Sequence, residues 1–203
     1  LDQDSPLQWN LNQILRASER GVGLNRQLLL FSRRQPVQLI SLDINGMIER
    51  LAKRPADLVS EGVTIATSLQ ADLWSAEADA MLIERVLKDL VGNASDAMEG
   101  AGTVIIKTEN LLVSSDVARP MLDARPGRFV RLSVVDTGAG MTEETMAHLF
   151  EAFFTTKPRG KGRGLSLSVA YGIVTQHGGW MNARSRPGQG STFEVYLPAE
   201  EPA

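Results

Sequence analysis

The 203-residue sequence predicts an α+β fold: a mixed sheet covered by helices on one face and preceded by one long helix. Three observations predict it. Helical and strand periodicities are interleaved from about residue 42 onward instead of being gathered into separate halves, so sheet and helices share one core. The last two strands are joined by a Gly188-Gln189-Gly190 turn, a hairpin connection that requires antiparallel neighbours. Residues 6–34 carry an unbroken helical pattern with no strand beside it, which divides the chain into 1–36 and 37–203.

The long helix has a clear start. Ser5 is a capping hydroxyl, Pro6 occupies the first helical position and Gln8 follows three residues after the cap. Leu7, Ile14, Ala17, Gly21, Leu24, Leu28 and Phe31 recur at steps of three and four, interrupted by a polar Asn10, and form an apolar seam of coiled-coil type. Such a seam is buried in a bundle, in a dimer, or against its own domain. Pro36 ends the helix.

The remaining elements follow in order. "LDINGMIERLAKRP" reads as a helix, "GVTIATSL" as a strand, and "EADAMLIERVLKDLVGNASDAMEG" as a long helix stopped by Gly100. Strands are predicted at "GTVIIKTENLLV" and "FVRLSVVDTG", with "SSDVARPMLDARPG" as an excursion between them. A short helix near 142–150, a helix over 165–177 and the strands "GWMNARSRP" and "STFEVYLP" complete the chain.

Bulk properties exclude several classes. A net charge of -3 gives no general attraction to nucleic acid or anionic membrane, so any basic site is local, and neither partner is expected. Cysteine is absent, which removes disulfides and thiolate metal sites and fits a reducing, cytoplasmic setting. The apolar run "LLLF" is too short to cross a bilayer. A start at Leu1 within a polar stretch leads to the expectation of a piece cut from a longer protein, whose upstream part includes sensor or membrane segments.

Three constellations carry chemistry. In "DLVGNASDAM", Asp89, Asn93 and Asp96 sit four and three residues apart on one helix face, while Leu87, Leu90, Val91 and Ala94 supply buried contacts. A hard cation such as magnesium with attached phosphates suits that stripe, and a solvated helix face has the same spacing. In "VVDTGAGM", Asp136 stands just past a buried strand, and Gly138 and Gly140 permit turns and close approach. That carboxylate can accept a hydrogen bond from the exocyclic amine of adenine, or cap a tight turn. In "KPRGKGRGLSLS", Lys157, Arg159, Lys161 and Arg163 alternate with other residues, Gly160, Gly162 and Gly164 among them, ahead of a helix N-terminus, a loop able to bend over polyphosphate. The pattern G-x-x-x-x-G-K-[ST] does not occur, and no strand precedes the loop, so it is neither a Walker loop nor a Rossmann turn.

In this order the motifs resemble the ATP-binding domain of sensor histidine kinases, in the superfamily shared with gyrase, Hsp90 and MutL. "LVGNASDAM" is similar to the N box, "DTGAGM" to G1, "LFEAFFTTK" to the F box, "GKGRGLSLS" to G2 and "GQGSTFEVYLP" to the closing G3 element. "AYGIVTQHGG" is similar to the helix after G2, and "ERGVGLNRQLLLFSRRQP" to the second helix of the dimerisation and phosphotransfer hairpin. The resemblance implies a two-layer α/β sandwich of Bergerat type that holds ATP and Mg2+ between the N-box helix and a mobile lid over about 155–163. It implies that Asn93 coordinates the metal, with Asp89 as a further candidate, and that Asp136 binds the adenine amine. Gly138 and Gly140 would shape the adenine pocket, and Thr192 would assist through its hydroxyl. Lys157, Gly162, Arg163, Gly164 and Leu165 would approach the phosphates, and Asp96 would lie beside them. Phe150 and Phe153 would pack the base of the lid. A response-regulator receiver domain and a homodimer formed through the hairpin are the implied partners.

The sequence departs from the family pattern at four places. The phosphoacceptor histidine is missing: His148 and His177 both fall outside a hairpin helix, and "LDQDSP" resembles the connecting loop of that hairpin. The chain is therefore expected to bind ATP and not to autophosphorylate. Asp89 stands where these kinases carry asparagine, and in the gyrase and Hsp90 branch an acidic residue there is a general base for water. In G2, Arg163 replaces a small residue and Ser166 replaces glycine. If that position needs a positive φ, serine is strained; if it is helical, its hydroxyl is harmless. These departures sustain an alternative, a pseudokinase or docking scaffold with weakened nucleotide use.

Overall fold

A computed structural model describes residues 37–98, 100–114, 125–158 and 162–200. The expected helix over 6–34, most of the 114–127 excursion and the loop residues 159–161 lie outside the described residues. The elements are β1 (Ile40–Leu42), α1 (Ile44–Ala52), β2 (Val63–Leu69), β3 (Ala76–Ala78), α2 (Ala80–Asp96), β4 (Gly102–Val113), β5 (Gly127–Asp136), α3 (Glu143–Ala147), α4 (Ser166–Gln176), β6 (Trp180–Ser185) and β7 (Ser191–Pro198).

Five strands form one mixed sheet in the order β2-β4-β5-β7-β6, with β2 parallel to β4 and every other pair antiparallel. Side chains alternate across it. Val104 and Ile106 of β4, Val130, Leu132 and Val134 of β5, and Phe193, Val195 and Leu197 of β7 face the helices. They share one core with Ile44, Met47 and Ile48 of α1, Ile83, Leu87, Leu90 and Ala94 of α2, and Ala170 and Val174 of α4. Each large aliphatic chain buried there contributes about 1.5–3 kcal/mol. The opposite face carries Val113, Phe129, Trp180 and Tyr196 as a second buried cluster, in which Trp180 stacks on Tyr196 with centroids 4.6 Å apart. Arg131 sits on that face as well, ion-paired to Glu109 and Glu194.

The predicted α+β architecture is the one observed. Two short strands, β1 and β3, were not expected; they pair with each other and form a separate two-stranded sheet. The helix predicted from Glu77 starts at Ala80 instead, because Ala76–Ala78 pairs with β1 and Asp79 caps the helix by accepting the Met81 and Leu82 N–H groups. Among the described residues, no helix is long and apolar enough to cross a membrane.

Candidate functional site

Asp136 closes β5 and is 3 % exposed. Its Oδ1 accepts the Gly138 N–H at 2.9 Å and the Ser191 N–H at 3.1 Å. Burial pushes its carboxyl above the ordinary range, and the bonds from Gly138 and Ser191 oppose that shift. Of the two roles open in the sequence, the capping of a tight turn is the one observed, and the carboxylate keeps acceptor capacity for a further donor. An open cavity of about 620 Å³ lies beside it, lined among others by Met146, Arg184, Gln189 and Thr192.

The glycines after Asp136 seat this turn against α2. A Cβ on Gly138 would lie 2.6 Å from the Ala97 carbonyl oxygen, and Ala139 N–H donates to that same oxygen at 3.0 Å. Gly140 has φ +66°, and a Cβ there would collide with the Arg186 backbone. The Asp136 turn and the C-terminal end of α2 are therefore joined by direct backbone packing.

Asn93 and Asp96 lie near the end of α2, where they meet residues from the basic loop. Asn93 Nδ2 donates to Ser166 Oγ at 3.1 Å, and Lys157 Nζ lies 3.5 Å from Asn93 Oδ1. Lys157 Nζ also pairs with Asp96 at 2.5 Å. Ser166 is the first residue of α4, so its backbone is helical, and the question of a strained serine is settled in favour of the helix. Its hydroxyl is engaged with Asn93. No side chain caps α4; Leu165 occupies the cap position, so the N-terminal N–H groups face the region of Asn93 without a protein cap.

The base of the basic loop is closed by one bond. Phe153 N–H donates to the Gly164 carbonyl at 2.7 Å, and both residues have positive φ, 70° and 62°. A Cβ on Gly164 would lie 2.5 Å from the Phe154 carbonyl oxygen, so glycine is required by space and by conformation. Gly162 packs over Lys157. Phe150 lies against Tyr171 of α4, with centroids 5.2 Å apart, as expected of a packing residue, whereas Phe153 is 36 % exposed. Arg163 is exposed and makes no ion pair with another described residue.

Thr192 pairs in register with Val135 and lines the same cavity as Asp136, while the hydroxyl bonded to the carboxylate is that of Ser191, its register partner. Ser191 Oγ lies 3.0 Å from Ser185 Oγ, which donates to the Gly190 carbonyl. The sequence signals neither serine, since the register Asp136↔Ser191 is what opposes them. Asp89 is half-buried and faces Arg85 at 3.8 Å; burial raises its carboxyl and Arg85 opposes this. Among the described residues no three His, Cys, Asp or Glu side chains gather as a metal cage. The donor set of Asn93 and its neighbours fits a magnesium that takes most of its oxygens from phosphate and water. His148 is exposed and pairs with Glu151 at 2.9 Å, while His177 is buried.

Comparison with known proteins gives a consistent picture. Residues 78–201 match the family described as histidine kinase-, DNA gyrase B-, and HSP90-like ATPase. The chain is 36% identical over 189 residues to the sensor kinase CckA of Brucella abortus (strain 2308), covering 93% of this chain and 20% of that protein. Among solved structures it is similar to full-length ShkA in complex with AMPPNP, with a TM-score of 0.67 and 26% identity over 98% of this chain and 40% of that one. It is also similar to the nucleotide-free catalytic domain of the histidine kinase ThkA, with a TM-score of 0.62 and 25% identity over 80% of this chain and 96% of that one. The chain spans about a fifth to a third of the length of the curated relatives it matches.

Proposed function

The chain belongs to the histidine kinase-, DNA gyrase B-, and HSP90-like ATPase family as its ATP-binding catalytic domain, and from that premise we propose that it serves a two-component phosphotransfer reaction. In the parent protein the γ-phosphoryl group of ATP passes to a histidine on a helix outside this chain, and from there to an aspartate of a receiver domain. The observation that carries this reading is the meeting of Asn93, Lys157 and the uncapped start of α4, linked through Gly138 and Ala97 to the Asp136 turn.

Each residue has a role that its chemistry supports. Asp136 accepts the adenine amine, and the Ser191 hydroxyl beside it assists. Lys157 exchanges Asp96 for phosphate oxygens, helped by the α4 N–H groups, whose partial positive charge favours anions. Asn93 holds Mg2+ through Oδ1, with Asp89 as a further carboxylate on the same helix. When bound, the metal neutralises phosphate charge, and the protein's own contribution is positioning and charge complementarity. Residues 1–36 act as the second hairpin helix and support a homodimer. The scaffold alternative loses one of its supports, since Ser166 is helical and places no strain on the loop.

Titration with a fluorescent ATP analogue, with and without Mg2+, tests the reading. Saturable binding that Asp136→Asn weakens at least about tenfold supports it. Absence of saturable binding at millimolar ligand overturns it.

A further inference from the structure

We infer that Asp96 is an internal competitor of the nucleotide: in the empty site its carboxylate holds the Lys157 ammonium that phosphate oxygens take on binding, and so it sets the affinity for ATP. The inference rests on the proposed role of Lys157. Three observations bring the two charges together. Lys157 Nζ lies 2.5 Å from Asp96 Oδ2 and 3.5 Å from Asn93 Oδ1, so one ammonium spans both polar residues near the end of α2. The lysine is directed there by its own loop: its backbone N–H donates to Thr155 Oγ1 at 3.1 Å, and Gly162 lies so close to its stem that a Cβ would sit 3.0 Å from Lys157 Cδ. Asp96 in turn is the last residue of a 17-residue helix whose final turn carries no basic residue. A carboxylate at that end is disfavoured by the helix dipole, and the Lys157 ammonium offsets it.

The strength of the pair suits exchange. The Lys157 and Asp96 side chains are 34 % and 52 % exposed, and an ion pair so open to solvent is worth no more than about fivefold in an equilibrium constant. A triphosphate carries more negative charge than one carboxylate, so it takes the ammonium from Asp96. The pair is nevertheless lost on binding, and that loss lowers the affinity. The carboxylate left behind recovers little, because even with its metal the nucleotide remains negative overall. Removing the charge of Asp96 therefore strengthens binding, opposite to what a metal ligand or a phosphate-orienting residue at this position would show.

The test measures the dissociation constant of a fluorescent ATP analogue in Mg2+ for the wild-type chain, Asp96→Asn, Lys157→Gln and the double variant, with thermal unfolding of each as a control for folding. Asp96→Asn is expected to bind about two- to fivefold more tightly than wild type and Lys157→Gln more weakly, while Asp96→Asn added to Lys157→Gln makes no difference. Weaker or unchanged binding by Asp96→Asn overturns the competitor role while nucleotide binding stands. Equal tightening with and without the lysine also overturns it, since the carboxylate then repels phosphate without withholding Lys157. A Lys157→Gln variant that binds like wild type removes the proposed role of Lys157 and this inference together. A wild type that does not bind overturns the proposed function as well.

Discussion

His177 accepts the backbone N–H of Asp79 through Nε2 at 3.0 Å, while its Nδ1 lies 2.7 Å from the Ile173 carbonyl oxygen. The ring is 6 % exposed. With Nε2 accepting and Nδ1 facing an acceptor, the ring donates its Nδ1–H to the Ile173 carbonyl. It ties the end of α4 to the N-cap of α2, across 98 residues of chain.

That bond predicts a stability effect. His177→Ala leaves the Asp79 N–H without its acceptor and opens a cavity, so the variant should lose about 1–3 kcal/mol of unfolding free energy. Urea denaturation measures it; a midpoint equal to that of the wild type would remove the ring from the stabilising contacts.

Asp136 predicts a dependence on pH. Its carboxyl is pushed above the ordinary value of 3.8, chiefly by burial, so the folded protein keeps this proton to higher pH than the unfolded chain does. Stability linked to the group is therefore full below the unfolded value and declines as pH rises through the raised folded value. Above that raised value the buried, ionised carboxylate is a cost to stability. Asp136→Asn keeps an acceptor for Gly138 and Ser191, so relative to wild type it should gain more stability at about pH 7 than at about pH 4. Denaturation curves at the two pH values would contradict this if the difference were constant or reversed.

Gly138 and Gly92 predict opposite signs from the same substitution. Gly138→Ala sets a Cβ 2.6 Å from the Ala97 carbonyl and should cost about 1–3 kcal/mol while weakening nucleotide binding. Gly92, within α2, has nothing within 4 Å of its would-be Cβ. Gly92→Ala should stabilise by up to about 1 kcal/mol. Thermal unfolding of the pair, read side by side, checks the contrast.

What the sequence revealed follows from the range of the forces involved. Helix α2 and the strands β4, β5 and β7 were legible because apolar periodicity and local turn residues define them. The strands β1 and β3 were not, since each is 3 residues long and exists through its partner. At the site, Asn93 and Asp136 could be picked out as residues, but their neighbours depend on register and helix docking. The bond between the Ser191 hydroxyl and the carboxylate follows from strand register, and the tie between Lys157 and Asp96 spans 61 residues. Ser166 could be read as an unusual letter, while its hydrogen bond to Asn93 required two helices to be in place.

The stacked pair on the outer sheet face gives the molecule a built-in optical reporter. Trp180 and Tyr196 form one end of the β6–β7 ladder, and Ser185 and Ser191, beside Asp136, form the other, about 17 Å away at strand rise. With Trp9 and Trp74 replaced by phenylalanine, indole emission would come from Trp180 alone and would report the integrity of the end of the sheet that lies away from the cavity.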